Sequence, residues 1–266
     1  MIVESAKYTL DPGQEVQYLY TPSKPGAALA VTRIVPHYGP GTHHVVLWHV
    51  PGLFAGGLPA DPYESPEISP LGHIPLYVGG TSETPLEAPP GSAFNVAADE
   101  ALEVQLHLLN ASSAPATGKA TLDLYLTEAE HVPANVYAFD NATFEIPPHA
   151  SAFETSVTCT LAADLDVFAV WPHMHSRGRS MRVERNGAAW WSIDQWAFND
   201  QPIAYFDGHL AAGDVLKITC VFDNDSDSPV ARGTSGALEM CSWLAYHSGP
   251  SATKFYACVD GQTIAF

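Results

Sequence analysis

The sequence predicts an all-β protein built as two units in tandem, and three observations lead there. Only 15% of the 266 residues are charged, while 22 prolines, 20 glycines and abundant Val, Thr, Tyr and Phe cut the chain into short runs. Such a composition favours a sandwich over a helical bundle. Apolar and polar residues alternate in short blocks, the period of a strand with one face buried, and no stretch carries the apolar spacing of a helix of normal length.

The blocks in the first unit are AALAVTRIV at 27 to 35, VVLWHV at 45 to 50, ALEVQLHLL at 101 to 109 and TLDLYLT at 121 to 127, each bounded by Pro, Gly or Asn. The stretch from Pro51 to Pro90 is rich in Gly and Pro and reads as long loops. TEAEHVPANV at 127 to 136 interrupts the pattern with charge and proline, which places the domain join there and divides the chain into residues 1 to 128 and 129 to 266. Strands resume with TFEIPP, SVTCTL, DVFAVWPHMH, SMRVERNG, VLKITCVFDN and MCSWLAYH.

With 29 acidic against 11 basic residues, the formal charge of −18 argues against a nucleic-acid or anionic-membrane partner and favours solubility as its reason. No apolar stretch is long enough to span a membrane as a helix. Four cysteines, Cys159, Cys220, Cys241 and Cys258, fall in the second half without a C-x-x-C pair. Two disulfides, and with them an oxidising compartment, are the simpler reading; four buried thiols are the other. MIVESAKYTL has neither the basic start nor the apolar run of a signal peptide, so the protein either stays inside the cell or has lost a signal.

WPHMHSRG at 171 to 178 holds the sharpest chemical signal. In an extended segment His173 and His175 leave the same face and can close on one metal ion; two neighbouring histidines with no shared role are the bland alternative. His43 and His44 open a strand, and His107 lies near the end of another. Adjacent histidines share a metal only where a bulge or strand end turns the backbone, and GPGT just upstream supplies flexible residues for that turn. Three neutral imidazoles suit copper, zinc, iron or nickel. Met240 is either core filling or a soft thioether ligand, which favours cuprous copper. No G-x-S-x-G elbow or glycine-rich phosphate loop appears.

HH at 43 and 44, Q-x-H at 105 to 107, H-x-H at 173 to 175 and E-M-C at 239 to 241 stand in the order and at about the separations of one enzyme family. From about Leu29 to Cys258, and most densely over 171 to 247, the chain resembles the copper type II, ascorbate-dependent monooxygenases, the family of peptidylglycine α-hydroxylating monooxygenase and dopamine β-monooxygenase. The resemblance implies two antiparallel jelly-roll sandwiches with a cleft between them. It implies two copper ions, one on His43, His44 and His107 and one on His173, His175 and Met240. His173, His175 and Met240 would bear the oxygen chemistry, with ascorbate or another one-electron donor as co-substrate. It also implies disulfides Cys159–Cys258 and Cys220–Cys241 and a secreted or periplasmic location.

The chain departs from the amidating members of that family. Where those carry an arginine, an asparagine and a tyrosine that grip a peptide carboxylate, this sequence has Trp171, Ser242 and Leu244. Tryptophan cannot replace a guanidinium fork, so a C-terminal glycine peptide is a doubtful substrate unless Arg177 or Arg179 reaches the site. Trp171 and Leu244 suggest an apolar wall for a less polar small molecule or short peptide, or plain core packing. The expected activity is hydroxylation of an activated sp³ C–H bond with O2. The alternatives are a copper-binding or copper-storage protein without hydroxylase activity, and an uncoupled copper oxidase or peroxidase.

Overall fold

A computed structural model describes residues 1–66 and 72–265. Among the described residues the chain is built of strands, with a single α-helical turn at Gly52–Ala55 and a 3-10 turn at Pro250–Thr253. It divides into two compact units, Met1–Ala134 and Asn135–Phe266. The division falls within Val132–Asp140, which is one continuous strand. Its first residues pair in parallel with Ser92–Val96 and its last with Tyr256–Val259. The charge and proline read as a linker therefore belong to the approach and start of a strand, and these parallel pairings depart from the antiparallel pairing of most other described strands.

In the first unit, a five-stranded sheet runs in the order Tyr63–Glu64, Glu15–Ser23, Ala101–Leu109, Thr42–Val50, Ile74–Gly80. Ile2–Glu4, Thr121–Leu126, Leu29–His37 and Ser92–Val96 pair in that order elsewhere in the unit. All nine residues of Thr42–Val50 are buried, so both faces of the strand are covered, which explains its nearly unbroken apolar run. The loops expected over Pro51 to Pro90 contain the fully buried strand Ile74–Gly80, whose two terminal glycines hid it in the sequence. Residues 67 to 71 of that stretch lie outside the described residues.

In the second unit, Phe153–Thr160, Val215–Phe222, Gly178–Arg185 and Ala188–Ile193 form a four-stranded sheet, and Val132–Asp140, Ser242–Ser248, Leu165–His173 and Ala204–Leu210 pair in that order. Their inner faces meet in a core of Phe139, Ile146, Val183, Ile218, Phe222 and Trp243. Both disulfides, Cys159–Cys258 and Cys220–Cys241, are formed within this core. No helix among the described residues is long and apolar enough to cross a membrane.

Candidate metal centres

His43, His44 and His107 converge so that one nitrogen from each lies within 4.8 Å of the others, and all three are buried. Two bulges make this possible. Ala101–Leu109 pairs His107 with His44 and then Leu108 with Thr42, which leaves His43 as the extra residue. On its other edge the same strand pairs Leu106 with Leu19 and Leu108 with Val16, so two residues, Gln17 and Tyr18, stand opposite His107. An extra residue interrupts strict up-and-down alternation, which lets adjacent histidines serve one point. Gly41 prepares the turn: its φ is +83°, and a Cβ there would meet Leu10 Cδ1 at 2.8 Å.

The imidazoles are held in a shape that suits an ion. His43 Nδ1 and His44 Nδ1 are 3.3 Å apart; two nitrogens bound to one ion at ~2.0 Å lie about 3 Å apart. The Nε2–H of His107 donates to Glu15 at 2.7 Å, which fixes the tautomer and presents the buried Nδ1 as the lone pair. Burial pushes the His107 pKa below its ordinary value against the pull of Glu15, and so favours the neutral imidazole that a metal requires. Tyr18, fully buried at a φ of 61°, packs its ring 5.4 Å from His107 and 5.9 Å from His44. A left-handed tyrosine is strained, and the surrounding sheet must hold it.

His173 ends the strand Leu165–His173, and His175 follows in the turn. Their rings lie 5.1 Å apart and nearly perpendicular, and both are buried. Each is fixed at Nδ1. His173 donates to Gln201 Oε1 at 2.8 Å and His175 to the Leu238 carbonyl at 2.9 Å, so both tautomers present Nε2. Gln201 is itself oriented by donating to the Phe198 carbonyl at 2.9 Å.

Met240 is buried and adjoins the Cys220–Cys241 disulfide. Glu239 ties it to the histidines: one carboxylate oxygen accepts the backbone N–H groups of His175 at 2.8 Å and Met240 at 3.4 Å. Glu15, Gln201 and Glu239 were not singled out in the sequence. Their distances along the chain from the histidines follow no motif, and only the E of E-M-C was adjacent to a named ligand.

Trp171 stacks on His173 at 4.7 Å and 13° and donates its indole N–H to the Gln201 carbonyl. Leu244 is buried and is paired with Trp171 across the sheet. Ser242 donates its hydroxyl to Asp140 at 2.6 Å. Arg179 pairs with Asp223, and Arg177 donates to the Ala237 carbonyl. Gln105, on the ligand face beside His107, accepts from Trp48 and donates to Tyr20. Of the other histidines, His37, His49, His73, His149 and His209 face carboxylates and His131 bonds Asn95. His247 is fully buried, with neither ring nitrogen hydrogen-bonded.

Buried imidazole sets with oriented rings, on an all-β scaffold with paired cysteines, offer donors of the kind that copper, zinc, iron or nickel accept. Residues 134–264, nearly all of the second unit, match the copper type II ascorbate-dependent monooxygenase, C-terminal domain. No curated protein sequence matches the chain. Among solved structures, the cowpea mosaic virus empty particle is 8% identical at a TM-score of 0.41, covering 97% of this chain and 93% of that one. Recombinant peptide:N-glycanase F is 8% identical at a TM-score of 0.36, covering 97% of this chain and 98% of that one. Likenesses this low carry no argument about the fold or function of this chain.

Proposed function

We propose that the protein is a copper- and dioxygen-dependent hydroxylase with two domains, each carrying one mononuclear copper site. His43, His44 and His107 hold one ion, and His173, His175 and Met240 the other. The observation that carries this reading is the pair of separate, buried imidazole sets. His107 in the first set and His173 and His175 in the second are fixed at the nitrogen that faces away from the proposed ion, and only the second set has a thioether on the adjoining segment.

Copper bound there supplies reversible one-electron chemistry and the activation of dioxygen. The residues supply the rest. Glu15, Gln201 and the Leu238 carbonyl hold ring protons at the outer nitrogens, so that the inner lone pairs stay available. Burial keeps His107 neutral. A weak thioether leaves coordination open at the second ion, whereas three imidazoles suit a site that need only change oxidation state. Trp171, stacked flat on His173, excludes water from one side of that ligand and gives the substrate an apolar neighbour. With Trp171 in place of a guanidinium, and Ser242 bonded to Asp140, the substrate class is a small molecule or short peptide without a C-terminal glycine carboxylate. The one-electron donor is ascorbate or a reductant of similar strength. The disulfides support a secreted or periplasmic setting.

The test is copper content of the wild type, His107→Ala and Met240→Ile, with oxygen uptake under ascorbate. Two coppers in the wild type, a single one in His107→Ala, and uptake matched by hydroxylated product support the reading. Copper without turnover favours a storage protein, and uptake that yields only peroxide favours an oxidase. A wild type that holds no copper overturns the reading.

A further inference from the structure

The ligand face of the first unit's five-stranded sheet carries a buried polar and aromatic row that the proposed copper chemistry does not use. Glu103, Gln105 and His107 alternate along one strand, so all three share a face. Glu103 is 0% exposed. One of its oxygens accepts the Tyr63 hydroxyl at 3.0 Å and the other the Nε2–H of His73. Burying a carboxylate costs several kcal/mol even when it is paired, and an apolar residue would fill the same space without that cost. A purely structural anchor for the short strand at Tyr63 does not require an ionisable group.

The rings beside it form a continuous path. Tyr63, partly exposed, stacks on the fully buried Tyr20 at 5.0 Å and 11°. Tyr20 lies 6.5 Å from Tyr18, and Tyr18 lies 5.4 Å from His107 and 5.9 Å from His44. Oxidising a tyrosine in a protein interior requires somewhere for the phenolic proton to go. The row ends at its solvent-side ring on a carboxylate within hydrogen-bond distance.

We propose that this row is an escape path for oxidising equivalents: Tyr63, with Glu103 as proton acceptor, gives an electron through Tyr20 and Tyr18 to a hydroxyl radical formed at the three-histidine centre. The inference rests on copper occupying that centre, where a cuprous ion would give one electron to hydrogen peroxide, breaking its O–O bond to leave hydroxide and hydroxyl radical and a cupric ion. In the step, hydroxyl radical gains one electron and becomes hydroxide. Tyr63 loses that electron and becomes a neutral tyrosyl radical, while its O–H bond breaks and the proton passes to the Glu103 carboxylate. An external one-electron donor, the class that already serves the proposed reaction, then restores Tyr63, and Glu103 returns the proton. The ligand histidines are spared because the lasting radical resides at the rim of the sheet.

The experiment treats reduced, copper-loaded protein with hydrogen peroxide and a spin trap, then maps adducts and oxidised histidines by peptide mass spectrometry. The expected adduct is on Tyr63 in preference to Tyr125 and Tyr205, which are more exposed at 51% and 55%. In Tyr20→Leu, which interrupts the path, the Tyr63 adduct falls about tenfold, the effect of about 1.4 kcal/mol on the transfer barrier. Oxidation of His43, His44 and His107 rises in that variant and in Tyr63→Phe, which keeps the ring and removes only the hydroxyl. Adducts that simply follow exposure, or histidine oxidation equal in all three proteins, overturn the proposal. Adduct mapping in the wild type decides the matter should a variant fail to fold. Copper is counted first: an empty three-histidine centre overturns both this inference and the proposed function, whereas a loaded centre with no Tyr63 adduct overturns only the escape path.

Discussion

The carboxylate of Glu239 accepts the backbone N–H of His175 at 2.8 Å, and through its other oxygen that of Arg177 at 2.7 Å. A buried side chain from the segment that bears Met240 thus organises the turn that bears His175. Burial raises the Glu239 pKa to about 7, with the three backbone donors pulling it down. Glu239→Gln would set an amide N–H₂ against backbone donors. Copper affinity at His173, His175 and Met240 should fall by about 10–100-fold, with the three-histidine set unchanged. Copper titration monitored by electron paramagnetic resonance reads both.

Gln201 orients His173 from the ring's outer side. Gln201→Leu leaves the Nδ1–H buried without its acceptor and should cost about 1–3 kcal/mol of stability. It should also loosen copper at that site, while Gln201→Glu, which keeps an acceptor, retains most of both. Denaturant unfolding with and without copper checks the pair of variants.

Tyr18 occupies a left-handed conformation at a φ of 61° within the sheet. Removing its buried ring should destabilise the first unit by about 3–5 kcal/mol. Tyr18→Gly should cost less than Tyr18→Ala, because glycine accepts that backbone without strain and alanine loses about 1 kcal/mol to it. If the alanine variant proves the more stable in urea unfolding, the strained bulge is wrongly described.

His247 supplies a pH dependence. Burial depresses its pKa to about 4, partly opposed by Asp166. Because the folded pKa lies below the unfolded value of about 6.5, the unfolded chain binds more protons between those values, and stability rises with pH across that window. The contribution is complete above about pH 6.5 and is lost as pH falls toward 4, by about 3 kcal/mol in all. His247→Leu should flatten this acid limb in melting curves taken from pH 7 down to 4.

The two disulfides join residues 99 and 21 positions apart. On the chain-entropy account, closing loops of these lengths contributes about 5 and about 3 kcal/mol. Denatured, unreduced protein should show no free thiol, and reduction should lower the melting point of the second unit far more than that of the first, which has no cysteine.

Thr121–Leu126 was legible because a half-buried strand prints its period in the sequence, and Ala101–Leu109, although buried on both faces, because polar Glu103, Gln105 and His107 stand at alternate positions. Ile74–Gly80 was not, because glycine and two-sided burial erase that period, nor was Val132–Asp140, whose start is masked by proline and the charged residues before it. The proposed ligand residues were picked out for a different reason: histidine and methionine in a fixed order are rare enough to be noticed without any structure.

By itself the sequence determined the all-β class, the candidate histidines and methionine and the cysteines available for pairing, since these depend on residue type and short-range spacing. Only the tertiary structure decided how adjacent His43 and His44 serve one point, because bulges arise from the register between strands. It alone revealed Glu15, Gln201 and Glu239 behind the ligands, and Tyr63 over Glu103. Hydrogen bonds between residues dozens of positions apart leave no local pattern, and they exist only once the sheets have packed.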